Sequence, residues 1–201
     1  MQQPLKSLTR TDFLRIATLF EGGLVLVAYL LGWLGNIDPL ANLRVDTQTL
    51  VLGAAGTLPL YLFFVISYRY PFAGLHEIKR FLIDKMGPIL GSCGPWDLVY
   101  LGLLAGLTEE ILFRGVLQPL IESTWGGLIG LIVSNLLFAL AHWINPLYGL
   151  LAGLTGLYLG VSLDITGERN LGIPILIHAF YDVLAFMAVV KTYRAESGSS
   201  F

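Results

Sequence analysis

Six runs of about 20 predominantly apolar residues, near 16–34, 48–68, 96–120, 125–143, 147–163 and 172–190, constrain this chain more than any other feature. In a hydrocarbon core no water satisfies backbone N–H and C=O groups, so such a run must close its hydrogen bonds internally as a helix. The predicted fold is therefore all-α: a polytopic transmembrane helical bundle of about six spans. Composition agrees, with 13% charged residues and a mean hydropathy of +0.73, where soluble domains carry roughly 25% charge. A net charge of −2 leaves no basic stripe to meet phosphates, which excludes nucleic acid as a partner. The one cysteine, Cys93, cannot form an internal disulfide, and no Cys/His spacing of a structural zinc site is present.

Lys6, Arg10 and Arg15 precede an apolar run that continues to Leu34, longer than a signal-peptide core, so the first span is expected to be retained. Residues 69–95 place Leu75, Ile78, Phe81, Leu82 and Ile83 at mixed i+3/i+4 spacing among Arg69, Lys79, Arg80 and Lys85, the pattern of an amphipathic helix on the membrane surface. Gly87-Pro88 and Gly94-Pro95 are expected to break it. This divides the chain into residues 1–95, two spans plus a basic interfacial segment; 96–190, a four-helix membrane core; and 191–201, a small polar tail. The cations favour one side: Lys6, Arg10, Arg15, Arg69, Lys79, Arg80, Lys85, Lys191 and Arg194 against Arg44 and Arg169. Both termini of this multi-pass integral membrane protein are thus expected in the cytoplasm. Small residues recur at packing spacing, at Gly102/Gly106, Gly126/Gly130, Gly149/Gly153 and Gly156/Gly160, as in helices whose backbones approach closely.

Against this apolar background stand Glu109, Glu110, Arg114, His142, His178 and Asp182. An ionisable group near the bilayer centre costs about 2.5–3.5 kcal/mol on insertion scales, so each needs a partner or a task. Glu110 and Arg114 are i,i+4 neighbours in the favourable order and read as an ion pair; Glu109 points about 100° away, toward the bundle interior or a water pocket, where an unpaired carboxylate suits general-base work. His178 and Asp182 share a helix face, so the carboxylate can orient the imidazole. Asn135 lies on roughly the face of His142 and is a supporting candidate, for a hydrogen bond in the site or for packing. Glu21, beside Gly22-Gly23, is placed near the cytoplasmic boundary, with a catalytic role as the alternative; His76 is expected to be solvated, and Trp33, Trp96, Trp125 and Trp143 to anchor span ends.

Three motifs stand in order: Glu-Glu-x-x-x-Arg at Glu109-Glu110 to Arg114, Phe-x-x-x-His at Phe138 to His142, and His-x-x-x-Asn/Asp at His178 to Asp182. Over roughly residues 96–190 the chain resembles the family of CAAX prenyl proteases and bacteriocin-processing enzymes (CPBP, or Abi), intramembrane proteases. The resemblance implies a hydrolase that cleaves a peptide bond of a membrane-associated substrate, prenylated or a leader peptide. Glu109 would then be general base, His142 its partner in polarising water, His178 an oxyanion donor and Asp182 its orienter, with Glu110 and Arg114 holding the site in shape. Many members have Asn at the last position; an ionised Asp182 repels an oxyanion where an Asn amide would donate to it.

The set Glu109, His142, His178 and Asp182 has the N/O donors of a divalent metal site such as zinc, but the chain has no H-E-x-x-H pair and a catalytic zinc leaves one carboxylate free as base. Metal-free, glutamate-driven hydrolysis is the reading carried forward, with a metalloprotease as its alternative. A non-catalytic scaffold or immunity-type protein of the same fold, and a proton-coupled transporter, are the competing classes; no inverted repeat supports the transporter. Straight-helix counting leaves one conflict: Glu109 falls near mid-membrane, His142 toward the cytoplasmic end and His178 toward the outer half, whereas a shared site needs one depth.

Overall fold

A computed structural model describes residues 9–70, 72 and 74–198; Lys6 and the tail beyond residue 198 lie outside them. The order is α1 (Arg10–Gly35), α2 (Thr47–Arg69), α3 (Gly74–Phe81), α4 (Gly87–Leu90), α5 (Pro95–Leu112), α6 (Gln118–Trp125), α7 (Gly127–Ala141), α8 (Pro146–Ser162) and α9 (Gly172–Ser197). π-helical turns at Leu82–Met86 and Phe113–Leu117 join α3 to α4 and α5 to α6. The described residues contain no strand. The molecule is an all-helical integral membrane protein, as its sequence requires.

Three helices, α1, α2 and α9, are long and apolar enough to cross a bilayer on their own, and the pair 74–90 and 95–125, which passes that test only when taken together, is bent by 116° between its two parts. The two remaining predicted spans fall short. Helix α7 has 15 residues and α8 has 17, about 22 and 25 Å at 1.5 Å per residue, against a hydrocarbon core of about 30 Å. Helix α7 stops because Asn145 caps the next helix by accepting from the Tyr148 N–H and Pro146 opens it. That early stop removes the depth conflict. Counting from the turn at Gly126, which takes φ +85° and is open to glycine alone without strain, Glu109 lies 17 residues back along α5–α6 and His142 16 residues forward, about 26 and 24 Å. The two side chains are level.

Close backbone approaches assemble the core. A Cβ at Gly106 would lie 2.5 Å from Ala179 N and one at Gly102 2.6 Å from Val183 Cγ2, so this pair lets α5 press against α9. On α8, Gly149, Gly153, Gly156 and Gly160 meet Trp143, Ala139, Asn135 and Leu131 in turn, a stripe that seats α8 antiparallel on α7. Gly126 belongs to the turn, not to a packing pair; Gly130 packs on the backbone of α6.

The interfacial segment differs from expectation in its break points. Pro88 sits in the first turn of α4, where its missing N–H is harmless, so only the second expected break is found: the chain turns at 91–94 and α5 opens at Pro95. Apolar Leu75, Ile78, Leu82 and Met86 face inward, while Arg80 pairs outward with Asp84 at 2.5 Å and with Glu196 at 3.0 Å. The C-terminal tail is helical through Ser197. All four tryptophans lie at helix ends and are exposed. At the end of the bundle away from α3, Arg169 joins Asp164 and Glu122, and these carboxylates, Asp164 foremost, raise its guanidinium above the ordinary arginine value.

Candidate active site

The side chains singled out above converge on one cavity of about 350 Å³, lined among others by Glu21, Glu109, His142, Tyr148, His178 and Asp182. Glu109 and Glu110 lie on the last turn of α5, which closes in the π-turn that carries Arg114. The extra residue of a π-turn shifts the helix face, and such turns are frequent at functional sites.

Behind the cavity lies a dry ionic support. Glu110 is fully buried and Arg114 1% exposed. Arg114 Nη1 donates to Glu110 Oε1 at 2.9 Å, and Nη2 donates to Asn135 Oδ1 at 2.8 Å and to Gly156 O at 2.6 Å. Asn135 is thus a support of Arg114, and its own amide donates to Leu131 O. Phe138 fills the centre: its ring stacks on His142 at 4.3 Å, meets His178 edge-on at 6.0 Å and carries the Arg114 guanidinium at 4.7 Å from its centroid. Sequence reasoning quoted Phe138 in a motif but gave it no task; its i,i+4 relation to His142 was the available signal.

Glu109 Oε2 lies 3.4 Å from His142 Nε2. His142 Nδ1 stands 2.9 Å from Phe138 O, and since a carbonyl only accepts, Nδ1 carries the proton. In the neutral ring Nε2 is therefore an acceptor, turned toward a carboxylate that also accepts, and Glu109 Oε2 is buried with no hydrogen-bond partner in the protein. Two acceptors facing one another across 3.4 Å have no hydrogen between them, so the pair needs a donor that the protein itself does not supply.

His178 makes its hydrogen bond to a residue other than the expected Asp182. His178 Nδ1 donates to Glu110 Oε1 at 2.8 Å, whereas Asp182 Oδ2 is 3.6 Å from Nε2, beyond hydrogen-bond reach. Residues i and i+4 do share a face, but Glu110 on the facing α5 is closer because Gly106 brings the two helices together one turn away. In its imidazolium form His178 presents a donor to the cavity at Nε2, with Asp182 beside it.

Tyr148 on α8 and Tyr181 on α9 also line the cavity, and nothing in the sequence distinguished them from the other tyrosines. Glu21, half-buried on α1, lines it too. As for a metal, no group of three or more His, Cys, Asp or Glu among the described residues is arranged to hold one. His178 Nδ1 is engaged by Glu110 and His142 Nδ1 by a carbonyl, which leaves the Nε2 atom of each ring turned toward Asp182 and Glu109.

Residues 92–184 match the family model described as Type II CAAX prenyl endopeptidase Rce1-like. The matched segment runs from just before α5 to two residues past Asp182 and contains every residue of the ionic support and of the Glu109–His142 pair; α1 and α2 precede it. No curated protein and no solved structure matches the chain.

Proposed function

From the match of residues 92–184 to the type II CAAX prenyl endopeptidase Rce1-like family model, we propose that this chain is an intramembrane endopeptidase that hydrolyses a peptide bond of a membrane-associated substrate, a prenylated or leader peptide. The observation that carries the reading is the Glu109–His142 pair: two acceptors 3.4 Å apart on a cavity wall, with the carboxylate oxygen free of any protein partner. Water held between them has its oxygen lone pairs turned to the cavity. Glu109 takes one proton as that oxygen attacks the carbonyl carbon, and the same proton passes to the nitrogen as the C–N bond breaks. His178 Nε2–H is the donor for the tetrahedral oxyanion, held in orientation by Glu110. Phe138, Arg114 and Asn135 fix these groups, since a reacting atom misplaced by 1 Å costs about 10²-fold in rate.

The apolar wall of the cavity, from Leu60, Phe64, Ile78, Leu82 and Met86, suits a substrate that arrives from the bilayer. The distribution of Lys and Arg supports an orientation with both termini in the cytoplasm. The test is turnover of a quenched fluorescent peptide with an S-farnesyl cysteine four residues from its carboxyl terminus, in proteoliposomes. Wild type cleaves it, and Glu109→Gln and His142→Ala, folded in detergent, do not; equal cleavage by all three removes the assignment of Glu109 and His142, and no cleavage by wild type leaves a non-catalytic member of the fold.

A further inference from the structure

Helix α1 lies outside the family-matched segment, yet it is tied to α5 by polar contacts that advance together along both helices. Arg10 donates twice to Asp97, at 2.5 and 2.6 Å; Thr18 Oγ1 and Tyr100 Oη are 2.8 Å apart; and Thr108 Oγ1 donates to Glu21 Oε2. The rising order of both partners makes the two helices parallel. Few residues of α1 are buried, Ala28 and Gly32 among them, while Leu19, Phe20 and Leu26 are exposed to the surroundings of the bundle. Lipid is as apolar as these side chains, so no hydrophobic force holds α1 to α5, and interhelical hydrogen bonds must set its register.

The last of these ties reaches the candidate site. Thr108 is 3% exposed and immediately precedes Glu109. Its hydroxyl also stands 3.0 Å from Leu104 O, the second acceptor within reach of its single hydrogen, so it sits between the α5 backbone one turn earlier and the side chain of α1. Glu21 occupies a largely apolar helix, its partner is a hydroxyl and not a cation, and it lines the same cavity as Glu109. A carboxyl at that depth is costly; the hydroxyl contact and the opening to the cavity are what make it tolerable there.

We propose that Glu21 is a positioning residue of the site: through the Thr108 hydroxyl it fixes the turn of α5 from which Glu109 projects. This rests on the hydrolytic reading of Glu109. Removing the carboxyl, or the hydroxyl that meets it, frees α1 to shift along α5 and loosens the turn that aims Glu109 at His142. The effect falls on the chemical step and not on substrate capture. The Oε1 of a glutamine can accept from Thr108 as the carboxylate does, so Glu21→Gln is the conservative rescue, whereas Glu21→Leu and Thr108→Val remove one partner each.

The experiment measures kcat and KM of the full chain in proteoliposomes with the farnesylated peptide above, for E21Q, E21L, T108V and the E21L/T108V pair, beside E109Q. Expected are a fall in kcat of about tenfold or more in E21L and in T108V with KM within about twofold, no further fall in the pair because both act on one contact, and kcat within about threefold of wild type in E21Q. Should E21L not fold in detergent, T108V, a nearly isosteric change, carries the same comparison. Turnover retained in E109Q overturns the hydrolytic reading itself. Turnover lost in E109Q but within about twofold of wild type in E21L and T108V, or in T108V alone where E21L is unfolded, overturns this proposal alone.

Discussion

Glu110 Oε1 accepts from His178 Nδ1 at 2.8 Å and from Arg114 Nη1 at 2.9 Å, so one carboxylate oxygen couples the histidine of α9 to the buried cation of α5–α6. Every group in that chain is removed from water, and loss of its centre leaves an uncompensated buried charge. We expect Glu110→Ala to destabilise the protein by about 3–5 kcal/mol. Replacing Glu110 and Arg114 together by Leu and Met should cost less than Glu110→Ala alone, because an apolar pair needs no counter-charge. Unfolding in mixed detergent micelles measures both; a double replacement as damaging as the single one contradicts the ionic account.

Asp182 Oδ2 stands 3.6 Å from His178 Nε2, farther than Glu110 Oε1 from Nδ1 at 2.8 Å, and the proposed mechanism gives the orienting role to Glu110. Asp182→Asn should therefore leave turnover of the farnesylated peptide within about threefold of wild type or raise it, since an amide can donate to an oxyanion that a carboxylate repels. A loss of about 10²-fold or more in Asp182→Asn would return the orienting role to Asp182.

The contrast between Glu110 and Asp182 shows where sequence reading stops. The i,i+4 rule finds same-helix neighbours, so it paired Glu110 with Arg114 and His178 with Asp182. It has no access to the distance between helices, which here is set by Gly102 and Gly106 against Val183 and Ala179. The glycine spacing was legible as a packing signal, but not which helix it would admit. Helix class, the six apolar segments and the three motifs were readable because each is local in sequence. The convergence of Glu109 with His142 was not, because it depends on α7 ending at Ala141 instead of completing a full span. The contact of Glu21 with Thr108 was hidden for a similar reason: its partner is 87 residues distant.

The proposed mechanism has Glu109 and His142 activate water without a metal ion. Dialysis of the reconstituted protein against a strong chelator is expected to leave its turnover of the farnesylated peptide unchanged. Activity lost on chelation and restored by zinc contradicts the metal-free mechanism.

Outside the membrane-spanning segments, Asp46 caps α2 by accepting from the Thr49 N–H at 2.7 Å and from its hydroxyl at 2.8 Å, and these bonds hold its carboxyl below the ordinary value of 3.8. A lowered folded-state pKa means that the unfolded chain binds the proton more readily. The stabilisation is present above about pH 4, the unfolded value, and is lost as pH falls through the folded one. In thermal unfolding followed from about pH 5 to about pH 2, the difference between wild type and Asp46→Ala should shrink toward acid; a difference that is constant over that range contradicts a charged cap.

The pairing of Glu109 with His142 across 3.4 Å bears the whole functional reading. Its most direct measurement is the rate of cleavage of the farnesylated peptide by wild type and by Glu109→Gln, reconstituted at equal amounts and shown to unfold at the same temperature. The account predicts cleavage by wild type and a loss of at least about 10³-fold in Glu109→Gln, which keeps the shape of the side chain and removes the base. Cleavage by Glu109→Gln at the wild-type rate contradicts it.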